Sequence, residues 1–322
     1  MLLEVLQSVL GLVALVIGGE VLVRGATSMA GRARLSPAVI GLTVVAAGTS
    51  LPELVVSVDA ALSGAADLAM GNVVGSNIYN VLLILGASAL VRPLTTTWST
   101  VRLEWPVMAL ASWTALLLAR DGVLDRLEGA YFLAGLVAFV AWTVRMARRD
   151  AGPEERAGLE AVAAGQATGA PATWAGILLR VIGGAVLLAV GADLLVSGAS
   201  AMAVNAGVSE RVIGLTLVAV GTSLPELVTS VVAARRGESG IAVGNVIGSN
   251  IFNILGILGV TTLIQPIPIH AGTIALDLWV MLATALVLLP LMRTGFRISR
   301  AEGALLFAGA VGWTAVLFMA AD

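Results

Sequence analysis

The seven residues GTSLPEL occur twice in the sequence, at 48–54 and at 221–227, and each copy places a glutamate inside a long apolar stretch. Each glutamate follows a threonine by four residues and a serine by three, so their oxygens lie on one side of a helix. These residues are Thr49, Ser50, Glu53, Thr222, Ser223 and Glu226. Carboxylate and hydroxyl oxygens are ligands for hard cations such as Na⁺, Mg²⁺ and Ca²⁺. The repeated motif therefore predicts a cation site.

A second repeated stretch carries hydroxyl and amide groups at helical spacing. GNVVGSNIYNVLLILG at 71–86 matches GNVIGSNIFNILGILG at 244–259, and twelve of the sixteen positions are identical. From Asn72 onward, polar residues follow at intervals of four, which places them in one stripe on each helix. The candidate ligands in these stripes are Ser76, Asn80, Ser249 and Asn253.

A proline in each copy of the first motif predicts a helix break beside the glutamate. Pro52 has no N–H to donate to the Gly48 carbonyl, and its ring clashes with that carbonyl. Pro225 has the same effect in the second copy. We expect backbone carbonyls to be freed around Ala46 to Gly48 and near Ala219 to Gly221, where they would complete an all-oxygen cage.

The composition indicates an integral membrane protein. Of the 322 residues, 58% are hydrophobic and 12% are charged, and the mean hydropathy is +1.00. Apolar runs long enough to cross a hydrocarbon core of ~30 Å recur along the chain. The chain has no cysteine and a single histidine, His270, so disulfides, zinc clusters and haem ligation lack ligands. With no hydrolytic or redox constellation either, we predict neither enzymatic activity nor a cofactor.

Hydropathy, with Gly, Pro and charge as punctuation, predicts an all-α integral membrane fold with ten transmembrane helices, at 2–26, 37–62, 68–91, 102–119, 128–147, 174–203, 212–234, 241–264, 273–292 and 301–320. A shift of 173 residues aligns the motifs of the two halves without a gap, so the chain is a duplication. Five spans per half is an odd number, which requires the second copy to be inverted. We predict a first five-helix repeat at 1–147, a linker at 148–173 and a second, inverted repeat at 174–322, with broken helices at the midplane.

The distribution of arginine predicts the orientation. With the N-terminus outside, the predicted cytoplasmic loops hold fourteen arginines and the opposite side holds three, Arg120, Arg126 and Arg211. Positive charge favours the cytoplasmic side. We therefore expect a multi-pass protein of the plasma (inner) membrane with both termini outside and a cytoplasmic linker.

Two further acidic residues receive a structural interpretation. Glu20 lies four residues before Arg24 near the inner end of the first span, a spacing typical of an ion pair. Asp193 aligns with Glu20 in the second half, but Ser197 replaces the arginine. We expect this ion pair in the first half alone.

A structural interpretation also exists for the motif glutamates. Ser50 and Glu53 match a capping box, in which the serine caps the second half-helix and the glutamate bonds to the serine N–H. At mid-membrane, however, an ionised residue costs at least about 2.5 kcal/mol, whereas a cap recovers about 1 kcal/mol. Capping therefore does not account for two such glutamates. A bound divalent cation would neutralise both charges, and water with one shared proton is the alternative, so Ca²⁺, Na⁺ and H⁺ would compete.

With GTSLPE and GNVxGSNIxN each present twice, the chain resembles the cation/Ca²⁺ exchanger superfamily, and within it the prokaryotic Na⁺/Ca²⁺ exchangers. The resemblance implies Ca²⁺ binding by Glu53, Glu226, Thr49 and Thr222. It implies Na⁺ sites formed by Ser50, Ser76, Ser223, Ser249 and the carbonyls of Ala46 and Ala219. Asn80 and Asn253 would border the central position. Spans one and six, which are rich in Gly and Ala, would slide as a pair to give alternating access.

The predicted function is a Na⁺/Ca²⁺ antiporter, with a H⁺/Ca²⁺ antiporter and a Ca²⁺-conducting channel as alternatives. The choice of Na⁺ rests on the resemblance, because proton-coupled relatives typically carry a GNxxE-type signature in place of GTSLPE. Some relatives, including K⁺-dependent exchangers, have Asp where this chain has Asn253, which argues against K⁺ co-transport. The resemblance also favours three Na⁺ per Ca²⁺, which is electrogenic. The expected partners are these ions and the lipid bilayer, without nucleic acid; no oligomeric state is predicted.

Overall fold

The computed structural model describes residues 2–150, 173–205 and 219–321. The helices in these ranges are α1 (Leu2–Ala33), α2 (Pro37–Thr49), α3 (Leu51–Leu62), α4 (Ala66–Val91), α5 (Thr100–Asp121), α6 (Arg126–Asp150), α7 (Trp174–Asn205), α8 (Ala219–Gly221), α9 (Leu224–Arg236), α10 (Ser239–Ile264), α11 (Thr273–Arg293) and α12 (Arg300–Ala321). The strands are β1 (Leu94–Thr95), β2 (Val123–Leu124), β3 (Ile267–Pro268) and β4 (Arg297–Ile298). Most of the predicted linker 148–173 lies outside the described residues.

Eight of the described helices are long and apolar enough to cross a membrane: α1, α4, α5, α6, α7, α10, α11 and α12. The pair α2 and α3, bent by 43° at its junction, qualifies as one broken span. The predicted span 212–234 begins outside the described residues and ends in α9. Large apolar side chains such as Leu12 and Val16 of α1 are exposed, as expected for a surface that faces lipid. The protein is a multi-pass membrane protein.

The break between α2 and α3 falls at Ser50, two residues before Pro52. Ser50 has φ −85° and ψ 8°, and Ser223 has φ −88° and ψ 6° before α9. A proline in the first turn of each following helix is tolerated, because no N–H is needed there. The Ala46 carbonyl accepts the Ser50 N–H at 3.0 Å. Of the carbonyls predicted to be freed around Ala46 to Gly48, the one of Ala46 is therefore hydrogen-bonded, because the bend leaves the last turn of α2 intact.

The helices α4 and α10 form the centre of the molecule. Among the described spans, α10 is almost wholly buried and α4 is mostly buried, whereas the others bury a minority of their residues. Each widens into a π-helical segment, Asn80–Leu85 in α4 and Phe252–Leu258 in α10. Such segments are frequent at functional sites, and here they begin at or beside Asn80 and Asn253. Hydropathy does not predict them, because the helix stays apolar on either side of the wider turn.

The helices α1 and α7 pack as an antiparallel pair with direct backbone contact. Gly11 lies against Gly191, and Gly18 lies against Gly184. A Cβ on Gly11 would come within 2.7 Å of the Gly191 carbonyl oxygen, and a Cβ on Gly191 within 2.9 Å of the Gly11 oxygen. Small residues are what allow helices to approach this closely. The Gly-rich composition of the two predicted spans thus serves their mutual packing.

Short strands and two arginines join the halves at the ends of the molecule. β1 pairs with β4 and β2 pairs with β3, both antiparallel. Arg126 Nε donates to the Leu263 carbonyl at 3.1 Å, and Arg300 Nε donates to the Leu90 carbonyl at 3.1 Å. Because Leu90 and Leu263 are 173 residues apart, the two halves make the same contact reciprocally.

An ion pair links α1 to α9. The predicted pair is confirmed, since Glu20 Oε1 lies 2.9 Å from Arg24 Nη2. Glu20 also accepts a hydrogen bond from Arg236, whose Nε lies 2.8 Å from Glu20 Oε2. Arg236 is 216 residues away in the sequence, so no local spacing indicates this contact. Ser63 occupies the corresponding position of the first half, and the link therefore has no charged counterpart there.

Candidate cation site

The two motif glutamates lie in the interior, and each is reached by a serine from the opposite half. Glu53 and Glu226 are both 1% exposed. Ser50 Oγ donates to Glu226 Oε1 at 2.8 Å, and Ser223 Oγ donates to Glu53 Oε1 at 3.3 Å. These are one contact made twice, because each residue lies 173 positions from its counterpart. The crossing brings both carboxylates to the junction of the halves.

The capping-box interpretation is not supported by the side-chain contacts. Ser50 and Ser223 precede α3 and α9, but neither side chain caps its own helix. The Ser50 N–H donates to Ala46 instead of Glu53. Both hydroxyls bond to the glutamate of the other half, so the motif joins the halves through hydrogen bonds rather than closing a local helix end.

Two asparagines hold the backbone beside the glutamates. Asn72 Nδ2 donates to the Glu53 carbonyl at 3.1 Å and to Ser57 Oγ at 2.9 Å. Asn245 makes the matching contacts in the second half, at 3.4 and 2.9 Å. Because both amide hydrogens of each asparagine are used, its position against α3 or α9 is well determined.

The motif threonines also reach across to the opposite half. Thr49 Oγ1 donates to Asn245 Oδ1 at 3.3 Å, and Thr222 Oγ1 donates to Asn72 Oδ1 at 3.4 Å. Thr49 Oγ1 lies in addition 3.1 Å from the Val45 carbonyl. Each threonine therefore contacts the asparagine that holds the glutamate segment of the other half.

The remaining side-chain candidates come from α4 and α10. Ser76 Oγ lies 3.3 Å from Ser223 Oγ, where it can donate a hydrogen bond because the single Ser223 proton is donated to Glu53. Asn80 Nδ2 donates to Asn250 Oδ1 at 3.0 Å. Ser249 and Asn253 are buried, and their side chains have no hydrogen-bond partner among the described residues. The two halves therefore differ here, although their sequences match.

Several buried oxygens of these residues have no hydrogen-bond partner within the described ranges: Glu53 Oε2, Glu226 Oε2, Asn80 Oδ1, Ser249 Oγ and Asn253 Oδ1. A buried polar group without a partner costs about 1–3 kcal/mol, and a carboxylate costs more. No group of three or more His, Cys, Asp or Glu in the described part of the chain is placed to hold a metal ion, so Glu53 and Glu226 are the two carboxylates that supply negative charge at this site. Carboxylate, hydroxyl and amide oxygens together are suited to hard cations.

Comparison with known proteins gives the family. The family model of the sodium/calcium exchanger proteins matches residues 3–145 and 176–319. The chain belongs to the sodium/calcium exchanger family. CaxA of Alkalimonas amylolytica is 42% identical over 99% of both chains. The sodium/calcium exchanger MaX1 of Methanosarcina acetivorans is 34% identical, over 96% of this chain and 97% of its own.

A solved structure of the sodium-calcium exchanger NCX_Mj, soaked with 2.5 mM Na⁺ and 0.1 mM Ca²⁺, matches this exchanger with a TM-score of 0.83 at 33% identity. The match covers 98% of each chain. The predicted family resemblance is thereby confirmed, and so is the membrane-spanning helical fold. The protein is a cation/Ca²⁺ antiporter of a family of transporters, not of enzymes.

The structure places most of the exchanger's predicted ligands in two matching hydrogen-bond networks. One contains Thr49, Ser50 and Glu226, and the other contains Thr222, Ser223, Glu53 and Ser76. Within the described residues, Asn80, Ser249 and Asn253 make no direct hydrogen bond to either network. Ala219 begins the helix that follows an undescribed segment, so a free carbonyl there stays a prediction.

Asn72, Asn245, Ser57 and Ser230 were not among the predicted ligands, yet they position the glutamates. A signal for them exists in the spacing. Thr49, Glu53 and Ser57 follow one another at intervals of four, and Asn72 begins the polar stripe of α4. Spacing alone places these residues on a face but does not distinguish an ion ligand from a residue that holds a ligand.

We expect Ser50→Ala and Ser223→Ala each to raise the apparent KM for Ca²⁺ roughly tenfold, because each removes a hydrogen bond that orients a carboxylate. The measurement is the initial rate of ⁴⁵Ca²⁺ uptake into vesicles as a function of Ca²⁺ concentration. Ser63→Ala, an exposed position at the end of α3, is the matched control and should leave KM unchanged. An unchanged KM in both site variants would show that the crossed contacts do not affect ion binding.

Proposed function

We propose that this protein exchanges Na⁺ for Ca²⁺ across the membrane by alternating access. The observation that carries the proposal is the crossed pair of contacts between two buried glutamates and Ser50 and Ser223. One oxygen of each carboxylate has no protein partner in the described part of the chain. Two carboxylates match the charge of one Ca²⁺, and the same oxygens can hold Na⁺ after Ca²⁺ has left.

The transported ions would use different subsets of the candidate ligands. Ca²⁺ would be bound by Glu53, Glu226, Thr49 and Thr222. Na⁺ would be bound by Ser50, Ser76, Ser223, Ser249 and the carbonyls of Ala46 and Ala219, with Asn80 and Asn253 at the border of the central position. The Ala46 carbonyl accepts the Ser50 N–H and also lies 3.3 Å from Thr49 Oγ1. An ion bound there would take the place of the Thr49 contact, because a carbonyl has two lone pairs. Na⁺ and Ca²⁺ are substrates here, and we propose no cofactor.

The names of the relatives favour Na⁺ as the counter-ion. MaX1 is named a sodium/calcium exchanger, and NCX_Mj was soaked with Na⁺ and Ca²⁺. Protons compete for the same carboxylates, so H⁺ is proposed as a competitor. A H⁺/Ca²⁺ antiporter is the alternative outcome of the experiment below.

The proposed architecture has ten spans in two inverted five-helix repeats, at 1–147 and 174–322, joined by the cytoplasmic linker 148–173. The antiparallel packing of α1 against α7, which occupy equivalent places in the two halves, supports the inversion. The reciprocal contacts at an offset of 173 support it as well. Both termini would lie outside the inner membrane, and α1 and α7 would slide together across the rest of the protein.

The test is ⁴⁵Ca²⁺ uptake into proteoliposomes under one imposed gradient at a time. We expect an outward Na⁺ gradient to drive uptake at least tenfold faster than an outward K⁺ gradient or an acidic interior. The reason is that Na⁺ is the proposed counter-ion, so only its exit would be coupled to the entry of Ca²⁺. Vesicles without protein are the control. Uptake driven equally by an acidic interior in the absence of Na⁺ would make H⁺ the counter-ion. Uptake that needs no gradient of another cation would contradict antiport altogether.

A further inference from the structure

A cavity of about 960 Å³ lies beside the end of α1, lined by parts of α2, α5 and α6 and by the turn between α9 and α10. None of the proposed ion ligands lines it. Its volume is at the upper end of the range for small-molecule pockets. The cavity is therefore separate from the candidate cation site.

Two buried polar groups in its wall have no hydrogen-bond partner among the described residues. They are Glu104 Oε2 of α5 and Thr143 Oγ1 of α6, in residues that are 4% and 8% exposed. Each such group costs free energy unless water or a ligand satisfies it. Glu238 in the α9–α10 turn lines the cavity too, and burial raises the pKa of its carboxyl. The wall thus offers acceptors to a hydrogen-bond donor that carries positive charge.

The same cavity also presents cations and indole rings. Arg34 and Arg102 line it and are exposed residues. The Arg102 guanidinium lies 5.5 Å from the centre of the Trp98 ring, and Trp142 contributes a second indole to the lining. Arginine suits phosphate groups, and tryptophan is typical of the boundary between lipid and water. A bare cation would be repelled by the arginines, and a purely anionic ligand would leave the acceptor oxygens of Glu104 and Thr143 without a donor.

We propose that this cavity binds the headgroup of an ethanolamine phospholipid. The primary ammonium would donate to Glu104 and Thr143, and the phosphate would face Arg34 and Arg102. The glycerol and the beginning of the acyl chains would leave past Trp98 and Trp142. This ligand satisfies both orphaned oxygens and both charge types at once, which neither a choline nor a glycerol headgroup does, because the first lacks N–H donors and the second lacks a positive charge.

The experiment measures lipid binding to the full-length protein in detergent, by native mass spectrometry and by the shift of Tm. Short-chain phospholipids with ethanolamine, choline and glycerol headgroups are compared, together with free phosphoethanolamine. We expect the ethanolamine lipid to bind several-fold better than the other two lipids. Glu104→Gln should weaken its binding about tenfold, as for the loss of a hydrogen bond to a charged group. Asp277→Asn, at the equivalent position of the second half and outside the cavity, should have no effect.

If Glu104→Gln does not fold, Thr143→Val serves as the second variant and should also reduce the preference for ethanolamine. Displacement of the lipid by millimolar phosphoethanolamine would identify the headgroup itself as sufficient, whereas binding of the lipid alone would show that the acyl chains contribute. Equal binding of all three lipids, or no change in either variant, would overturn the proposal. None of these results depends on the identity of the transported ions.

Discussion

Glu53→Gln and Glu226→Gln are each expected to lower Ca²⁺ exchange at least a hundredfold while the protein stays folded. Glutamine has the shape of glutamate and can still accept the serine hydrogen bond, but one of the two charges that balance Ca²⁺ is lost. Loss of one partner from a buried charged pair costs about 3–5 kcal/mol, which corresponds to a hundredfold or more in affinity. The measurement is ⁴⁵Ca²⁺ uptake into Na⁺-loaded proteoliposomes.

Asp59→Asn is the matched control, because Asp59 is an exposed carboxylate on the same helix as Glu53. We expect it to exchange Ca²⁺ at the wild-type rate. Size-exclusion profiles and thermal unfolding of the purified variants establish that they are folded. The two glutamine variants should fail to a similar extent, because the contacts of the glutamates are reciprocal. Substantial exchange by either one would remove the central claim about the site.

The transport rate is expected to depend on membrane voltage, because three Na⁺ leaving for one Ca²⁺ entering exports one positive charge. An interior-positive potential should accelerate Na⁺-driven Ca²⁺ uptake, and an interior-negative potential should slow it. One charge moved through 100 mV corresponds to about 2.3 kcal/mol, or about fiftyfold in the equilibrium accumulation of Ca²⁺. This follows from the proposed stoichiometry, which the family resemblance favours.

The site has a means to hold the extra positive charge of three Na⁺. Glu53 and Glu226 supply two negative charges, and the amides of Asn80 and Asn253 are neutral. The C-terminal end of α2 reaches the site at Thr49, and a helix C-terminus carries a partial negative charge. The partial negative charges of helix ends and carbonyls are thus expected to balance part of the positive charge of the third Na⁺.

A K⁺ gradient with valinomycin sets the voltage across Na⁺-loaded vesicles for this measurement. Vesicles that contain the Glu53→Gln variant measure the passive leak of Ca²⁺. Uptake indifferent to voltage would indicate electroneutral exchange of two Na⁺ for one Ca²⁺. Acceleration by an interior-negative potential would indicate entry of Ca²⁺ through a channel. Either result would contradict the three-for-one proposal.

Much of the candidate site is predictable from sequence, because it depends on which residue types occur at fixed spacing in the two repeated motifs. The offset of 173 residues pairs every motif residue with its counterpart, and apolar surroundings single out Glu53 and Glu226. The bend beside Pro52 also follows from local chemistry, since proline lacks the N–H that would continue the helix. Whether the Ala46 carbonyl accepts a backbone hydrogen bond is not predictable from the sequence, because it depends on which residue near the proline is the point of the bend.

Sequence by itself thus determined the membrane character, the duplication and the residue types of the site. The tertiary structure alone decided that Ser50 bonds to Glu226 rather than caps its own helix, and that Arg236 reaches Glu20. It alone placed Glu104 and Thr143 in one cavity wall. The physical reason is that spacing along a helix specifies which face a side chain occupies, whereas its partner is specified by whichever helix packs against that face, and here that helix lies far away in the sequence.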